Sequence, residues 1–339
     1  MGSEITKDKI NWPRITIVTP SYNQGDYIED TILSVLNQDY PNLEYIIIDG
    51  GSTDQTVDII KKYNDRIQYW VSEKDSGQSN AINKGFLRAT GEIINWLNSD
   101  DQLMPGTLHR LAGLFTEHPE VAVVHGRIEY FGETTPYYSV NIPKKDLRTR
   151  YVSHICMPQP ACFYRKKLID EQGLLDESLH FSMDTDLFVR AGLHYQILQV
   201  EEVFARFRLH AASKSVSSFN KRFLDDNARI FSKVLFTLGA QQEIGFMQQL
   251  DLYTQPSAGY NTPTTVFNSR DMLFYFLQHR LFTLHHHGAT TEFKRIFGFL
   301  IKHYTGKTLR ATKLLAYRVL LFLPPGFTHR LSKKINSSR

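Results

Sequence analysis

The sequence predicts an α/β fold, namely an open and mostly parallel sheet flanked by helices, with a helical C-terminal extension. Short apolar runs alternate with helically spaced apolar positions between about residues 15 and 124, and this alternation is lost after residue 215. With 339 residues, 42% of them apolar and 22% charged, the chain can bury one large core or two smaller ones. We therefore expect an N-terminal tail at 1–12, an α/β domain at 13–215 and a basic, largely helical region at 216–339.

The first predicted strand is the β-branched run Ile15–Thr19, which ends at Pro20. The second, Leu43–Ile48, is nearly all apolar, as is typical of a central parallel strand buried on both faces. Further strands are predicted at 67–71, 92–97 and 121–124, with helices at 28–36, before residue 63 and at 78–89. This order indicates repeated strand–helix units and therefore a parallel sheet.

Polar residues follow three of these strands directly. Thr19-Pro20-Ser21 comes at the end of the first strand, Asp49 follows the second, and Asn98-Ser99-Asp100-Asp101 follows the fourth. The carboxyl ends of parallel strands share one sheet edge, where ligands bind in such folds. We therefore expect a shared ligand site there, although each segment alone is equally consistent with a simple turn.

Asp100 and Asp101 are adjacent acids, which are costly at a sheet edge unless a positive charge neutralises them. Carboxylate oxygens suit Mg²⁺ or Mn²⁺, and these ions complete their shells with water and substrate phosphates. The chain contains neither of the usual glycine-rich phosphate loops, so a cation is one way to hold a diphosphate. The alternative is that Asp101 begins a helix while Asp100 holds the metal.

Four ordered motifs and one later acidic segment together closely resemble family 2 glycosyltransferases with the GT-A fold, over roughly residues 13–215. The motifs are Ile17-Val18-Thr19-Pro20-Ser21-Tyr22-Asn23, Asp49-Gly50-Gly51-Ser52-Thr53-Asp54, Asn83-Lys84-Gly85 with Ala89-Thr90-Gly91-Glu92, and Leu97-Asn98-Ser99-Asp100-Asp101. The later segment, Met183 to Arg190, is similar to that family's acidic catalytic motif.

The resemblance implies a nucleotide-sugar donor, an inverting transfer and Mn²⁺ or Mg²⁺ as cofactor. Asp100 and His210 are the expected metal ligands, and Asp49 is expected to hydrogen-bond the base. The expected donor-binding residues are Pro20, Ser21, Tyr22, Asp49, Asp75, Asn98, Ser99, Asp100, Arg208 and Lys214. Asn98 stands where the family more commonly has Asp, and Met183 replaces the usual Glu.

An acceptor hydroxyl needs a base as it attacks the anomeric carbon, and Asp184 is our candidate. Asp186 is the alternative base, or a residue on the acceptor side together with Gln159. Both aspartates are also consistent with a helix N-terminus, and Gln159 with a rigid loop. Because the Gln-x-x-Arg-Trp signature of polymerising relatives is missing, we expect the transfer of one sugar to a saccharide or lipid-linked saccharide.

The net charge of +4 is unevenly distributed: residues 265–339 hold 13 Lys and Arg against Asp271 and Glu292. Helices are predicted at 223–238, 272–284, 292–303 and 309–323. Basic amphipathic helices suit an anionic membrane surface, and a solvated helical cap or homodimer contact is the equal alternative. No recognised module indicates a nucleic-acid partner. With only two cysteines, we expect a cytoplasmic protein, with peripheral attachment to the cytoplasmic face of a membrane as an alternative.

Two other functions share some of these features. A nucleotidyltransferase would use similar acids, but it would normally carry a basic, glycine-rich loop after the first strand, whereas Ser21–Gly25 contains neither Lys nor Arg. A catalytically decayed sugar-nucleotide-binding or membrane scaffold is consistent with Asn98 and Met183. Glycosyl transfer remains the leading hypothesis.

Overall fold

The structure is a computed structural model that describes residues 12–154, 157–210, 221–263, 265–286 and 289–304. The described residues fall into two compact units. One contains 12–151 and 157–210, and the other contains 152–154 and the described part of 221–304.

The first unit is built on a single mixed sheet. Its strands are β1 (Ile15–Ser21), β2 (Leu43–Asp49), β3 (Tyr69–Ser72), β4 (Ile93–Trp96), β5 (Gln102–Leu103), β6 (Val121–Gly132), β7 (Tyr137–Tyr138), β8 (Cys162–Arg165) and β9 (Gln196–Leu209). In the described residues the strand order is β3-β2-β1-β4-β8-β6-β9-β5, with β7 paired to β6.

The strands β3, β2, β1 and β4 are parallel, which confirms the repeated strand–helix pattern read from the sequence. β8 is antiparallel to both β4 and β6, while β9 is parallel to β6. Every residue of β1 is buried, as expected for a central strand with a helix layer on each face. The sequence did not predict β5, β7, β8 or β9, because two of them are two residues long and the other two lie beyond the regular alternation.

Seven helices accompany this sheet in the described residues. They are α1 (Ile28–Leu36), α2 (Thr56–Lys62), α3 (Gln78–Arg88), α4 (Thr107–Glu117), α5 (Leu147–Tyr151), α6 (Lys167–Gln172) and α7 (Met183–His194). α3 approaches β1 closely at Gly85, where an added Cβ would lie 2.3 Å from Cγ1 of Val18. A glycine there therefore lets the helix pack directly on the central strand.

The second unit is helical, as predicted. It contains α8 (Lys221–Thr237), α9 (Gln241–Gln249), α10 (Ser269–His286) and α11 (Thr290–His303), of which α9 was not predicted. Phe231 on α8 stacks on Phe276 on α10, with ring centroids 4.3 Å apart. Arg280 on α10 donates to the carbonyl of Leu224 and to Glu292 on α11, so buried polar contacts also join these helices.

Most apolar side chains of α11 are buried in the protein, whereas Ile301 is 38% exposed. The buried ones are Phe293, Ile296, Phe297, Phe299 and Leu300, each no more than 8% exposed. Apolar side chains that are already packed cannot also enter a lipid interface. Across the described ranges, no helix combines the length and apolar character that crossing a membrane requires. The helix predicted at 309–323 lies outside the described residues.

Candidate functional site

The carboxyl ends of β1 to β4 meet at one edge of the sheet because these strands are parallel. Two loops at this edge are hydrogen-bonded to each other. The backbone N–H of Asn23 donates to Oγ of Ser52 at 2.7 Å, and the N–H of Thr53 donates to Oδ1 of Asn23 at 2.9 Å. The loops after β1 and β2 are therefore held together at the edge where the sequence predicts a ligand site.

Asp49 shapes the loop that follows β2. Its side chain is fully buried and accepts hydrogen bonds from the N–H groups of Gly51 and Ser52, and from the hydroxyls of Ser52 and Ser72. A carboxylate can accept about four hydrogen bonds, so these four contacts use the acceptor capacity of Asp49 in this conformation. The expected contact with a nucleoside base stays a prediction.

Pro20, Ser21 and Tyr22 occupy the end of β1 and the residue beyond it. Pro20 and Ser21 are buried, whereas Tyr22 is 60% exposed. Oγ of Ser21 is buried without a hydrogen-bond partner among the described residues. Buried hydroxyls are normally satisfied, so this group could accept or donate a bond to a ligand.

The segment after β3 borders the same edge. Oδ1 of Asp75 accepts the N–H of Gly77 at 2.8 Å, and a Cβ added to Gly50 would lie 2.7 Å from Oδ2 of Asp75. Gln78 Nε2 donates to Oδ1 of Asn98 at 2.9 Å, which joins this segment to the residues after β4. The structure therefore brings Asp49, Asp75 and Asn98 to neighbouring loops.

Asp100 and His210 are in direct contact although 110 residues separate them. His210 Nε2 lies 3.1 Å from Asp100 Oδ2, and the His210 ring lies 4.5 Å from the ring of Tyr27. Two adjacent ligands of an octahedral cation are about 3 Å apart when each is about 2.1 Å from the metal. The 3.1 Å separation therefore fits two neighbouring ligands of one divalent cation, and the metal itself stays a prediction.

No group of three or more His, Cys, Asp or Glu side chains suited to a metal occurs among the described residues. The sequence predicts two protein ligands, Asp100 and His210, and this stays a prediction. Ser99, the residue between Asn98 and Asp100, is buried.

Asp101 has a different environment from Asp100. It is 1% exposed, whereas 22% of the Asp100 side chain is exposed. Asp101 Oδ1 accepts a hydrogen bond from the backbone N–H of Arg208, and Oδ2 accepts one from Nδ2 of Asn98. Burial, followed by the charge of Asp100, raises the pKa of Asp101 well above its usual value. The alternative that Asp101 begins a helix is wrong, because β5 follows it and α4 begins at Thr107.

The Arg208 guanidinium donates to two protein acceptors. Nε donates to the carbonyl of Asp100 at 3.0 Å, and Nη2 donates to Oδ2 of Asp30 at 2.7 Å. The guanidinium also lies over the rings of Tyr27 and Phe131, at 5.1 and 4.5 Å from their centroids. Its expected contact with a diphosphate stays a prediction, and Lys214 lies outside the described residues.

Asp184 occupies the first turn of α7 and is partly buried. Its Oδ1 accepts the N–H and the hydroxyl of Thr185, at 2.7 and 3.3 Å. Burial raises the pKa of Asp184 from 3.8 to about 6, and the bonds from Thr185 only partly oppose this shift. A carboxylate with that pKa is a stronger base than an ordinary aspartate.

The topology places the first turn of α7 at the same sheet edge as Asp100. α7 ends at His194, and β9 begins two residues later at Gln196. Because β9 is parallel to β6, and β8 is antiparallel to both β6 and β4, β9 begins at the amino edge of β4. α7 therefore runs towards the amino edge, and Asp184 lies towards the carboxyl edge.

A ring contact fixes this position more closely. Phe188 on α7 stacks on Trp96, the last residue of β4, with ring centroids 6.4 Å apart and planes 15° apart. Asp184 precedes Phe188 by four residues, so the two side chains share a helix face with a rise of about 6 Å between them. Asp184 thus lies about one turn beyond the end of β4.

The segment that leads into α7 is joined to α3. Glu177 accepts hydrogen bonds from Nδ2 of Asn80 and of Asn83, and the Leu175 carbonyl also accepts from Asn83. The sequence motif contains Asn83, but it carries no local signal for a hydrogen-bond partner more than 90 positions away. The sequence therefore does not predict that Glu177 lies beside α3.

The structure does not bring Asp186 to the expected acceptor side. Asp186 is buried and accepts Nε of Arg190 at 2.9 Å, and Arg190 also donates to the carbonyls of Gln172, Gly173 and Leu174. This ion pair gives Asp186 a structural role, which corrects the expectation of an acceptor contact. The four-residue spacing from Asp186 to Arg190 was the available signal.

Gln159 lies beside the residues that follow β4. Its Nε2 donates to the carbonyl of Trp96 at 2.6 Å, and its Oε1 lies 3.4 Å from Nδ2 of Asn98. Gln159 therefore adjoins the expected donor residues, and an acceptor contact for it stays a prediction.

The model of the family described as "Glycosyl transferase family 2" matches residues 16–173, a span that includes the residues after β1, β2 and β4. Residues 16–173, slightly less than half of the chain, are therefore similar to glycosyl transferase family 2. This match confirms the resemblance read from the motifs, and the similar proteins described next are named as glycosyltransferases.

The chain has curated relatives of low to moderate identity. It is 28% identical over 242 residues to an uncharacterized glycosyltransferase of Rickettsia typhi, covering 68% of this chain and 74% of the relative. It is 47% identical over 96 residues to the putative teichuronic acid biosynthesis glycosyltransferase TuaG of Bacillus subtilis, covering 27% of this chain and 38% of TuaG.

Solved structures share the fold of this protein. S. aureus TarS 1–349 in complex with UDP-GlcNAc superposes with a TM-score of 0.61 at 18% identity, over 85% of this chain and 81% of TarS. The mannosyltransferase PcManGT of Pyrobaculum calidifontis, in complex with GDP-Man and Mn²⁺, superposes with a TM-score of 0.56 at 16% identity. This match covers 91% of this chain and 83% of PcManGT. At these identities the likeness concerns the fold alone, and it confirms the GT-A-type α/β fold.

Proposed function

We propose that the protein transfers one sugar from a nucleotide-sugar donor to a saccharide hydroxyl, with inversion at the anomeric carbon and with a divalent cation. The main supporting observation is the contact between Asp100 and His210 at the sheet edge where α7 presents Asp184. The bound ligands named for TarS and PcManGT, UDP-GlcNAc and GDP-Man with Mn²⁺, are consistent with such a donor.

Asp100 and His210 would hold the cation, which when bound would neutralise charge on the departing diphosphate. Oγ of Ser21 and the exposed ring of Tyr22 would lie along the nucleoside, and Asp49 would keep the loop beneath it ordered. The segment of Asp75 and Asn98, joined through Gln78, would border the diphosphate and the ribose.

Asp184 would accept the proton of the acceptor hydroxyl as that oxygen attacks the anomeric carbon. The new C–O bond forms on the face opposite the diphosphate, whose own bond to that carbon breaks with the electron pair going to the phosphate oxygen. A single displacement of this kind inverts the carbon. With a pKa of about 6, Asp184 is ionised at neutral pH and matches the operating pH well for general-base work.

The acceptor in this proposal is a saccharide, either free or lipid-linked. The buried apolar face of α11 supports the packed-helix alternative for that segment, and its exposed Lys294 and Lys302 remain available to an anionic surface. Flotation of the full chain with phosphatidylglycerol and with phosphatidylcholine vesicles distinguishes membrane attachment from a helical cap or homodimer contact. Binding to the anionic vesicles alone, lost at high salt, would support peripheral attachment, and no binding to either would favour the cap or a homodimer.

Incubation with a panel of nucleotide sugars, Mn²⁺ and saccharide acceptors tests the reaction class. Free nucleoside diphosphate together with an elongated acceptor supports glycosyl transfer. Pyrophosphate would instead indicate a nucleotidyltransferase, and donor binding without either product would indicate the decayed scaffold. The anomeric configuration of the product, determined by NMR, tests inversion.

A further inference from the structure

We infer that Arg208 is a positioning residue that ties the end of β9 to the loop of Asp100 and Asp101, and so fixes His210 against Asp100. The inference rests on the proposed function, because it deepens the assignment of Asp100 and His210 as cation ligands. It gives Arg208 a role different from the phosphate contact expected from the sequence.

Arg208 is bonded to the Asp100–Asp101 loop at two points. Its backbone N–H donates to Oδ1 of Asp101 at 3.1 Å, and its Nε donates to the carbonyl of Asp100 at 3.0 Å. Asp101 is itself held, because its carbonyl accepts the hydroxyl of Thr31 at 2.7 Å. The loop after β4 is therefore fixed from β9 on one side and from α1 on the other.

The guanidinium is also held at its far end. Nη2 donates to Asp30 on α1 at 2.7 Å, and the side chain is only 14% exposed. The planar group lies over the rings of Tyr27 and Phe131, which restricts its rotation. Arginine suits this role because its fork can donate to two acceptors while it stacks on a ring.

His210 depends on this arrangement for its position. β9 ends at Leu209, so His210 is the first residue beyond the strand ladder and lies two positions after Arg208. The ring of Tyr27 contacts both residues, at 5.1 Å from the Arg208 guanidinium and 4.5 Å from the His210 ring. Groups that orient metal ligands typically change metal affinity 10–100-fold when they are removed.

Arg206 provides a matched control. It lies two residues earlier on β9, pairs with Glu129 at 2.6 Å, and lies over the same Phe131 ring at 4.1 Å from its centroid. Its other described hydrogen bond goes to the side chain of Gln102. Arg206→Ala thus removes a stacked and ion-paired arginine without removing a bond to Asp100 or Asp101.

The experiment compares the wild type, Arg208→Ala, Arg208→Lys and Arg206→Ala, each checked for folding by thermal unfolding. Mn²⁺ affinity is measured by electron paramagnetic resonance in the presence of UDP or GDP, and nucleotide affinity is measured separately in EDTA by calorimetry. We expect Arg208→Ala to weaken Mn²⁺ binding by about 10–100-fold, Arg208→Lys to restore little of it, and Arg206→Ala to change it less than about threefold.

Equal effects of Arg208→Ala and Arg206→Ala on Mn²⁺ affinity would overturn the inference. A loss of metal-free nucleotide affinity as large as the loss of Mn²⁺ affinity would also overturn it, since that result indicates direct contact with the diphosphate. If Arg208→Ala does not fold, Asp30→Asn serves instead, because 55% of the Asp30 side chain is exposed. It should weaken Mn²⁺ binding by at least about threefold.

Asp100→Ala separates this inference from the proposed function. If Asp100→Ala abolishes Mn²⁺ binding and Arg208→Ala does not affect it, only the role of Arg208 is wrong. If Asp100→Ala leaves Mn²⁺ binding unchanged, the cation site itself is wrong.

Discussion

Asp184 and Asp186 are two residues apart on α7, and their carboxylates have opposite surroundings. Asp186 is paired with Arg190 at 2.9 Å in the protein interior, whereas the described hydrogen bonds of Asp184 come from its neighbour Thr185. Two residues on a helix are about 200° apart, so the two side chains point to opposite sides. This separation gives one aspartate a structural role and leaves the other on the helix face that packs towards β4.

Asp184→Asn should abolish sugar transfer and retain donor binding, because the amide keeps the shape of the side chain but cannot accept a proton. We expect the turnover number to fall at least about 100-fold, within the usual contribution of a general base. Product formation and calorimetric donor affinity are the measurements. Asp65→Asn, at an exposed position, is the control. Turnover close to that of the control would remove Asp184 from the mechanism.

The pH dependence of the wild type should show the ionisation of Asp184. The base works when ionised, and its pKa is raised to about 6 by burial. We therefore expect kcat/KM for the acceptor to rise about tenfold per pH unit below pH 6 and to level off above it. The assay runs from pH 4.5 to 8 with Mn²⁺ kept saturating at each pH. A profile that is flat between pH 4.5 and 7 would contradict the raised pKa.

Asp184→Asn should also stabilise the fold at neutral pH. The folded state binds the Asp184 proton more tightly than the unfolded chain does, so the ionised group costs stability above pH 6, and this cost disappears below about pH 4. A shift from 3.8 to about 6 corresponds to no more than about 3 kcal/mol, and we expect a gain of about 1–3 kcal/mol at pH 7.5. Urea unfolding of the variant and the wild type at pH 7.5 and at pH 4 measures this gain in the free energy of unfolding. Equal gains at both pH values would count against the prediction.

Asp186→Asn should destabilise the protein, because it leaves the buried Arg190 without its carboxylate. Removing one partner of a buried pair typically costs about 3–5 kcal/mol, although Arg190 keeps its bonds to the carbonyls of residues 172–174. Urea unfolding is the measurement, with the half-exposed pair of Lys166 and Asp170 as control through Asp170→Asn. Unchanged stability with lost transfer would return Asp186 to the acceptor site.

His210→Ala should weaken Mn²⁺ binding in the presence of UDP or GDP. It removes one of the two donor atoms that lie 3.1 Å apart, and we expect a loss of about 10–100-fold in affinity. His118→Ala is the control, since His118 is half-exposed and lies beside Glu120. If added Mn²⁺ supports transfer equally well at the same concentration in both variants, His210 is not a ligand.

Much of the site could be predicted from sequence because its parts are local. Asp49 and Asp100 each follow a strand whose apolar run marks its end, and parallel strands bring those ends to one edge without further information. The family motifs made this prediction specific. The partners of Arg208 could not be predicted in this way, because Asp30 and Asp100 lie 178 and 108 residues away.

The sequence by itself determined the parallel half of the sheet, the helical C-terminal unit and the resemblance to glycosyl transferase family 2, since periodicity and motifs depend on neighbouring residues. Only the tertiary structure decided that Asp186 pairs with Arg190, that Asp101 is buried beneath Asp100, and that β9 carries His210 to Asp100. The physical reason is that burial and pairing depend on which strands lie side by side. The insertion of antiparallel β8 between β4 and β6 is a choice that no local pattern in this chain encodes.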